Sequence, residues 1–193
     1  TAPPRMSETF DSAAASRRSA PWGRGLPQPA VRPPLQGDTR VGTLVIGAGV
    51  AGLSTALHLC ERGDQPLVLE ADLIGKGAGG ASAGIIAPQL IRATPDGVIR
   101  RLGEDAGTGT LRLVAECGRY LFDMIDRLGI VCDADPHGFI APATGRGAYA
   151  RLHTRVEQWQ PWRSDLRVCD ATETRRLTGC KGYGAAILDP TGG

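Results

Sequence analysis

The feature that most constrains this chain is the order of four short patterns between Val41 and Glu70. Val41-Gly42-Thr43-Leu44-Val45-Ile46 is an apolar, β-branched run, which predicts a strand buried on both faces. Gly47-Ala48-Gly49-Val50-Ala51-Gly52 follows at once. Residues 53–62 then place Leu53, Ala56, Leu57 and Cys60 at helical spacing, and Gly63 is the expected C-cap. Pro66-Leu67-Val68-Leu69 predicts a second strand, ending in Glu70. Strand, glycine turn, helix and strand in about 30 residues is the order that a βαβ dinucleotide site requires.

Each residue of the pattern has a physical task. Gly47 permits the tight turn off the strand, Gly49 removes a side chain where backbone must approach a pyrophosphate, and Gly52 lets the helix pack closely on the sheet. The N–H groups at the helix N-terminus, together with the helix dipole, favour an anion there without a lysine. Glu70, at the end of the second strand, is placed to accept hydrogen bonds from ribose hydroxyls, and its charge disfavours the 2′-phosphate of NADP. The chain holds 27 glycines, so glycine spacing alone says little. The strand before it and the helix after it give it weight.

The segment after Glu70 separates FAD from NAD. It reads Ala71-Asp72-Leu73-Ile74-Gly75-Lys76-Gly77-Ala78-Gly79-Gly80-Ala81-Ser82-Ala83-Gly84-Ile85-Ile86-Ala87-Pro88. Here the chain resembles the D-amino-acid oxidase and glycine oxidase family of FAD-dependent oxidoreductases, in which a similar glycine-rich stretch follows the ribose-binding acid and wraps the pyrophosphate and the ribitol. Pro34-Leu35-Gln36-Gly37-Asp38, Leu128-Gly129-Ile130-Val131-Cys132-Asp133, His137-Gly138-Phe139-Ile140 and Leu188-Asp189-Pro190-Thr191-Gly192-Gly193 extend the resemblance more loosely. Gly79 stands where many relatives have Ser, and Ala81 where some carry a basic residue or a flavin-bound histidine. Covalent attachment of flavin through this loop is therefore not expected.

The resemblance implies an α/β architecture: a Rossmann-like FAD-binding βαβ domain with the start of an incomplete α+β substrate domain. The expected division is a Pro/Arg-rich tail over 1–39, disordered or extended, the N-terminal part of the FAD-binding domain over 40–130, and the beginning of a truncated substrate domain over 131–193. The candidate cofactor-binding residues are Gly47, Ala48, Gly49, Val50, Ala51 and Gly52 in the turn, Glu70 and Ala71 after the second strand, and Gly77, Ala78, Gly79 and Ser82 in the loop. The implied reaction is oxidation of a small-molecule amine or amino acid by hydride transfer to FAD, with oxygen or another compound as electron acceptor. No catalytic residue is assigned, since the family's substrate-binding residues are expected beyond Gly193, and the chain alone is expected to be inactive. Two other readings of the βαβ unit stay open: an NAD-linked dehydrogenase and a non-catalytic nucleotide-binding fragment.

Composition excludes other classes. Hydrophobic residues make up 41% and charged residues 22%, ordinary for a chain that buries a core. The net charge is +2, and residues 1–40 hold six Arg against Glu8, Asp11 and Asp38, leaving 16 basic and 17 acidic residues beyond. That is no nucleic-acid signature. No apolar run approaches the roughly 18 residues of a membrane span. Arg17-Arg18 lacks the apolar stretch of an export signal, so a cytoplasmic location is expected. Cys60, Cys117, Cys132, Cys169 and Cys180 are odd in number and widely spaced. They support neither a disulfide framework nor a metal site, and are expected to be small buried apolar residues. Gly80-Ala81-Ser82-Ala83-Gly84 matches a hydrolase nucleophile elbow formally, but the strand that an elbow needs before the serine is missing.

Downstream, Val114, Cys117, Leu121, Met124, Ile125 and Leu128 predict one long core-packing helix over about 105–128. Short strands are expected over 138–141 and 184–188, with helices near 146–159 and after Asp170, the latter opened by an Asp170/Glu173 capping box. His137 and His153 are expected at the surface or in packing, and Trp159 and Trp162 in packing.

Overall fold

The computed structural model describes residues 32–90 and 92–193. Most of the N-terminal tail lies outside the described residues. Those described fall into two compact units divided between Ala83 and Gly84.

In the first unit, β1 (Leu44–Ile46) runs parallel to β2 (Leu67–Leu69), with Leu44 opposite Leu67 and Ile46 opposite Leu69. The helix α1 (Val50–Glu61) joins them, as parallel strands require a crossover. It starts at Val50, inside the glycine turn, with Gly49 as N-cap. Gly63 lies just beyond it at φ 85°, and its N–H donates to the Cys60 carbonyl at 2.9 Å. The βαβ unit is thus formed as the sequence reading has it, with one correction. β1 is not buried on both faces: Leu44 is 47% and Ile46 83% exposed. Its apolar character suits a strand covered on both sides, but among the described residues β2 is its only paired neighbour.

The second unit carries α2 (Pro95–Leu102), α3 (Glu104–Leu128), β3 (Phe139–Ala143), α4 (Ala148–Trp159), β4 (Arg167–Asp170), α5 (Ala171–Thr178) and β5 (Ala185–Asp189). β5 lies between β3 and β4 and is antiparallel to both. Leu111, Val98, Val156, Trp159, Leu166 and Ile187 form its core, where α2, α3 and α4 meet the sheet. Trp159 is buried and meets Trp162 edge-on at 6.3 Å, so both tryptophans pack as expected. His137 and His153 are surface residues.

Three local readings need correction. The closest-packed face of α3 is Gly107, Leu111, Ala115 and Gly118, while Cys117 and Leu128 are exposed. Hydrophobic spacing locates large side chains and overlooks glycines that let backbones meet. A Cβ on Gly107 would come within 2.8 Å of the Ile99 Cα. The capping box at α5 is only half made: Asp170 accepts from the Glu173 N–H at 2.8 Å, but the Glu173 carboxylate accepts from Arg167 at 2.7 Å. Of the cysteines, only Cys169 is buried; the other four are exposed and all five are free. α2 and β4 are additions to the sequence reading. Thr94 caps α2 by accepting from the Gly97 N–H at 3.2 Å, with Pro95 in its first turn.

Candidate functional site

The first unit assembles the glycine turn, the end of β2 and the loop after it. Gly47 leaves β1 at φ 95°, a conformation that only glycine adopts without strain, and its N–H donates to the Leu69 carbonyl at 2.7 Å. A Cβ on Gly52 would stand 1.9 Å from the Gly47 carbonyl oxygen, so the turn and the first helical turn are in direct backbone contact. Gly49 is different. Its φ of −81° suits any residue, and a Cβ there would meet nothing within 4 Å. Nothing among the described residues demands glycine at 49, and that open space fits a ligand approaching the backbone. Among the described residues no side chain caps α1, and its first turn holds no acidic residue, which leaves the helix start available to an anion.

Glu70 ties the pieces together. Its Oε2 accepts from the Ala48 N–H at 2.6 Å and its Oε1 from the Asp72 N–H at 3.1 Å. These hydrogen bonds, that from Ala48 foremost, hold the carboxyl below the usual 4.5. The sequence reading gave Glu70 to ribose hydroxyls alone; the structure adds a clamp on the glycine turn. Each carboxylate oxygen has a further lone pair, so the clamp and the ribose contact are compatible.

The loop docks on the same turn. The Gly75 N–H donates to the Ala48 carbonyl at 3.1 Å, and Asp72 pairs with Lys76 at 2.5 Å. Successive turns close Gly80 to Gly77, Ala81 to Ala78 and Ser82 to Gly79 at 3.1 to 3.3 Å. They use the N–H groups of Gly80, Ala81 and Ser82 and leave those of Gly77, Ala78 and Gly79 outside the turn hydrogen bonds. A Cβ on Gly79 would come within 2.9 Å of Val50 Cγ2, so Gly79, where the resemblance expects serine, brings the loop onto the first helical residue. The structure therefore brings Gly47, Ala48, Gly49, Val50 and Gly52 together with Glu70 and Gly79, and Ala71, Gly77, Ala78 and Ser82 follow on the same loop. These residues fit a dinucleotide: an uncapped helix start, an unfilled glycine position and an acid at the second strand. Among the described residues no group of three or more His, Cys, Asp or Glu could hold a metal ion.

The second unit holds a polar cluster that sequence reasoning missed. Arg163, 3% exposed, donates from Nη2 to Asp189 Oδ1 and from Nε to Asp165 Oδ1, both at 2.6 Å, and Asp189 is 0% exposed. Arg163 keeps its charge: burial works against it, but the two carboxylates outweigh that and raise its pKa. Burial likewise pushes Asp165 up, and Arg163 more than offsets it, leaving the carboxyl below the usual 3.8. No local pattern announces the burial of Arg163: Asp165 is two positions away, but the buried partner Asp189 lies 26 positions away.

Comparison with known proteins gives the family of the chain. The DAO family, FAD dependent oxidoreductase, matches residues 43–193. Gamma-glutamylputrescine oxidoreductase of Escherichia coli (strain K12) is 33% identical over 150 residues, covering 77% of this chain and 35% of that protein. L-proline dehydrogenase from P. horikoshii superposes with a TM-score of 0.61 at 18% identity, over 80% of this chain and 37% of that one. Glycine oxidase from Bacillus cereus ATCC 14579 does so with 0.56 at 19% identity, over 80% and 41%. The chain thus spans about a third of the length of this curated relative.

Proposed function

The chain belongs to the DAO family of FAD-dependent oxidoreductases, and from that premise we propose that it supplies the dinucleotide-binding portion of an enzyme oxidising a small amine or amino acid. FAD is the cofactor of that family. The observation that carries the assignment to these residues is the joint between turn, acid and loop: Ala48 donates its N–H to Glu70 and accepts from the Gly75 N–H. Two glycine-rich segments are thereby fixed as one surface.

In this reading the N–H groups at the start of α1 face the pyrophosphate, as at other helix N-termini that bind phosphate. Gly49 leaves room for it, and Glu70 accepts from a ribose hydroxyl while holding Ala48. Gly77, Ala78 and Gly79 offer backbone N–H groups to phosphate, and Ser82 a hydroxyl. FAD, when bound, supplies the two-electron acceptor for hydride leaving the substrate's α-carbon, the resulting imine then hydrolysing. The substrate class rests on relatives named for gamma-glutamylputrescine, proline and glycine. Oxygen or another compound reoxidises the cofactor, and no nucleic acid takes part. The boundary between cofactor and substrate domains near residue 130 belongs to this proposal, as does a cytoplasmic location. Among the described residues no helix is long and apolar enough to cross a membrane.

The test is an absorption spectrum of the purified full-length protein before and after heat release of bound cofactor. Flavin bands with an FAD-sized released product are expected. A folded, colourless protein that takes up no added FAD overturns the reading.

A further inference from the structure

The second unit takes two arginines out of water on different terms. Arg163 has Asp189 and Asp165 beside it, and they hold its charge against burial. Arg155, half-buried on α4, has no carboxylate partner among the described residues, and burial alone acts on it, lowering its pKa. Glu157, the one carboxylate of α4, lies instead with its Oε1 3.2 Å from His153 Nδ1. A guanidinium removed from water without an opposite charge costs the fold free energy.

We propose that the junction of residues 89–90 with α4 is a binding site for a small organic carboxylate, anchored by Arg155 and completed by donors from Gln89 and Trp159. Arg155 Nη2 donates to the Leu90 carbonyl, so the guanidinium stands against the segment that carries Gln89. Trp159 follows Arg155 by four residues, a spacing that makes neighbours of two side chains on one helix face, and Leu90 packs on the core cluster to which Trp159 belongs. Gln89 Nε2 and Trp159 Nε1 are the two buried side-chain polar atoms without a hydrogen-bond partner among the described residues. Folded proteins leave few such atoms unpaired. Both belong to the elements that Arg155 joins, and that coincidence points to a ligand.

The donors name its chemistry. A guanidinium, an amide nitrogen and an indole nitrogen offer N–H groups alone, so the ligand presents acceptor oxygens and negative charge. One cation matches a monoanion, and the planar fork of arginine matches a carboxylate through two parallel bonds. Leu90, Val156 and Trp159 suit a short aliphatic chain behind that carboxylate. Stability does not account for the same residues: a tether to the Leu90 carbonyl needs only a neutral donor, and an apolar side chain at 89 would remove an unsatisfied amide. The site lies wholly within the second unit and is independent of the cofactor reading.

Equilibrium dialysis of the full-length protein against radiolabelled propionate, at pH 7 and constant ionic strength, tests the inference, with phosphate and chloride as competitors. Wild type is expected to bind propionate saturably and in preference to both. Arg155→Gln keeps a donor for the Leu90 carbonyl but loses the charge and the fork; it should weaken that binding about tenfold or more, as loss of a charge-assisted hydrogen bond does, and Arg155→Lys should weaken it less. Gln89→Leu should weaken it about threefold to tenfold, the size of a neutral hydrogen bond, while the melting temperature without propionate stays level or rises. Propionate held elsewhere on the protein is unchanged by these variants, so the reading is the class of sites lost on substitution. No saturable binding by wild type, tighter binding of phosphate or chloride, or undiminished binding in Arg155→Gln overturns the inference. If Arg155→Gln fails to fold, Gln89→Leu decides: weaker binding with an intact melt supports the site, and unchanged binding overturns it.

Discussion

A Cβ at Gly52 would sit 1.9 Å from the Gly47 carbonyl oxygen, whereas one at Gly49 would meet nothing within 4 Å. The two glycines therefore separate folding from binding. Gly52→Ala is expected to lose about 1–3 kcal/mol of stability, as overpacked sites do. Gly49→Ala should hold its melting temperature, any change staying within about 1 kcal/mol, while FAD retention falls sharply. Thermal melts of the apoprotein alongside flavin content after gel filtration decide it, and equal loss of stability in both variants would refute the assignment. Glu70 gives a pH signature. Its folded pKa is depressed by the Ala48 and Asp72 N–H groups, so its contribution is fully present above the usual 4.5 and is lost as pH falls below that toward the depressed value. The carboxylate is exposed, so the effect on global stability is small; flavin release is the sensitive readout. Wild type should release FAD increasingly below about pH 4.5, and Glu70→Gln should release it faster at neutral pH with a flatter profile in that range.

At the level of elements, the glycine-rich βαβ turn was legible in the sequence, whereas tertiary contacts and the short capped helix α2 were not. β1, the glycine turn, α1 and β2 follow from patterns within 30 residues, because a βαβ turn is set by local backbone demands at Gly47 and Gly52. α3 was found in extent, yet its packing face was misjudged, since Gly107 and Gly118 contribute by lacking a side chain. At α5 the Asp170-to-Glu173 half of the box was readable, but the competing Arg167–Glu173 pair depends on how β4 leads into the helix. The difference is testable: Asp170→Ala should cost about 1 kcal/mol, the usual loss of an N-cap. Glu173→Gln should cost less and lose its effect at high salt, because it breaks an exposed ion pair and no reciprocal cap. Denaturant melts at low and high salt distinguish a true capping box, in which the Glu173 change would be salt-independent.

Over the whole molecule the two units contrast in what they bury. The second has a core around Leu111, Trp159 and Ile187, whereas in the first Ile46 is 83% and Val50 74% exposed and α1 buries no residue fully. A strand such as Leu44-Val45-Ile46 is the composition of one covered on both faces, and exposed apolar surface of this kind marks a place where something else packs. The curated relative is about three times the length matched here, which offers enough further chain to supply that cover. Ile46→Thr distinguishes the cases. In residues 1–193 alone the substitution should change stability by no more than about 0.5 kcal/mol, as at other exposed sites, and should reduce binding of a hydrophobic dye. In a protein of the relatives' full length the same change should cost about 1–2 kcal/mol, the transfer energy of a buried aliphatic side chain made smaller and polar, with dye binding low before and after. A neutral result in both lengths would mean that Ile46 stays in water throughout, and that the apolar character of β1 serves some contact other than the fold of its own chain.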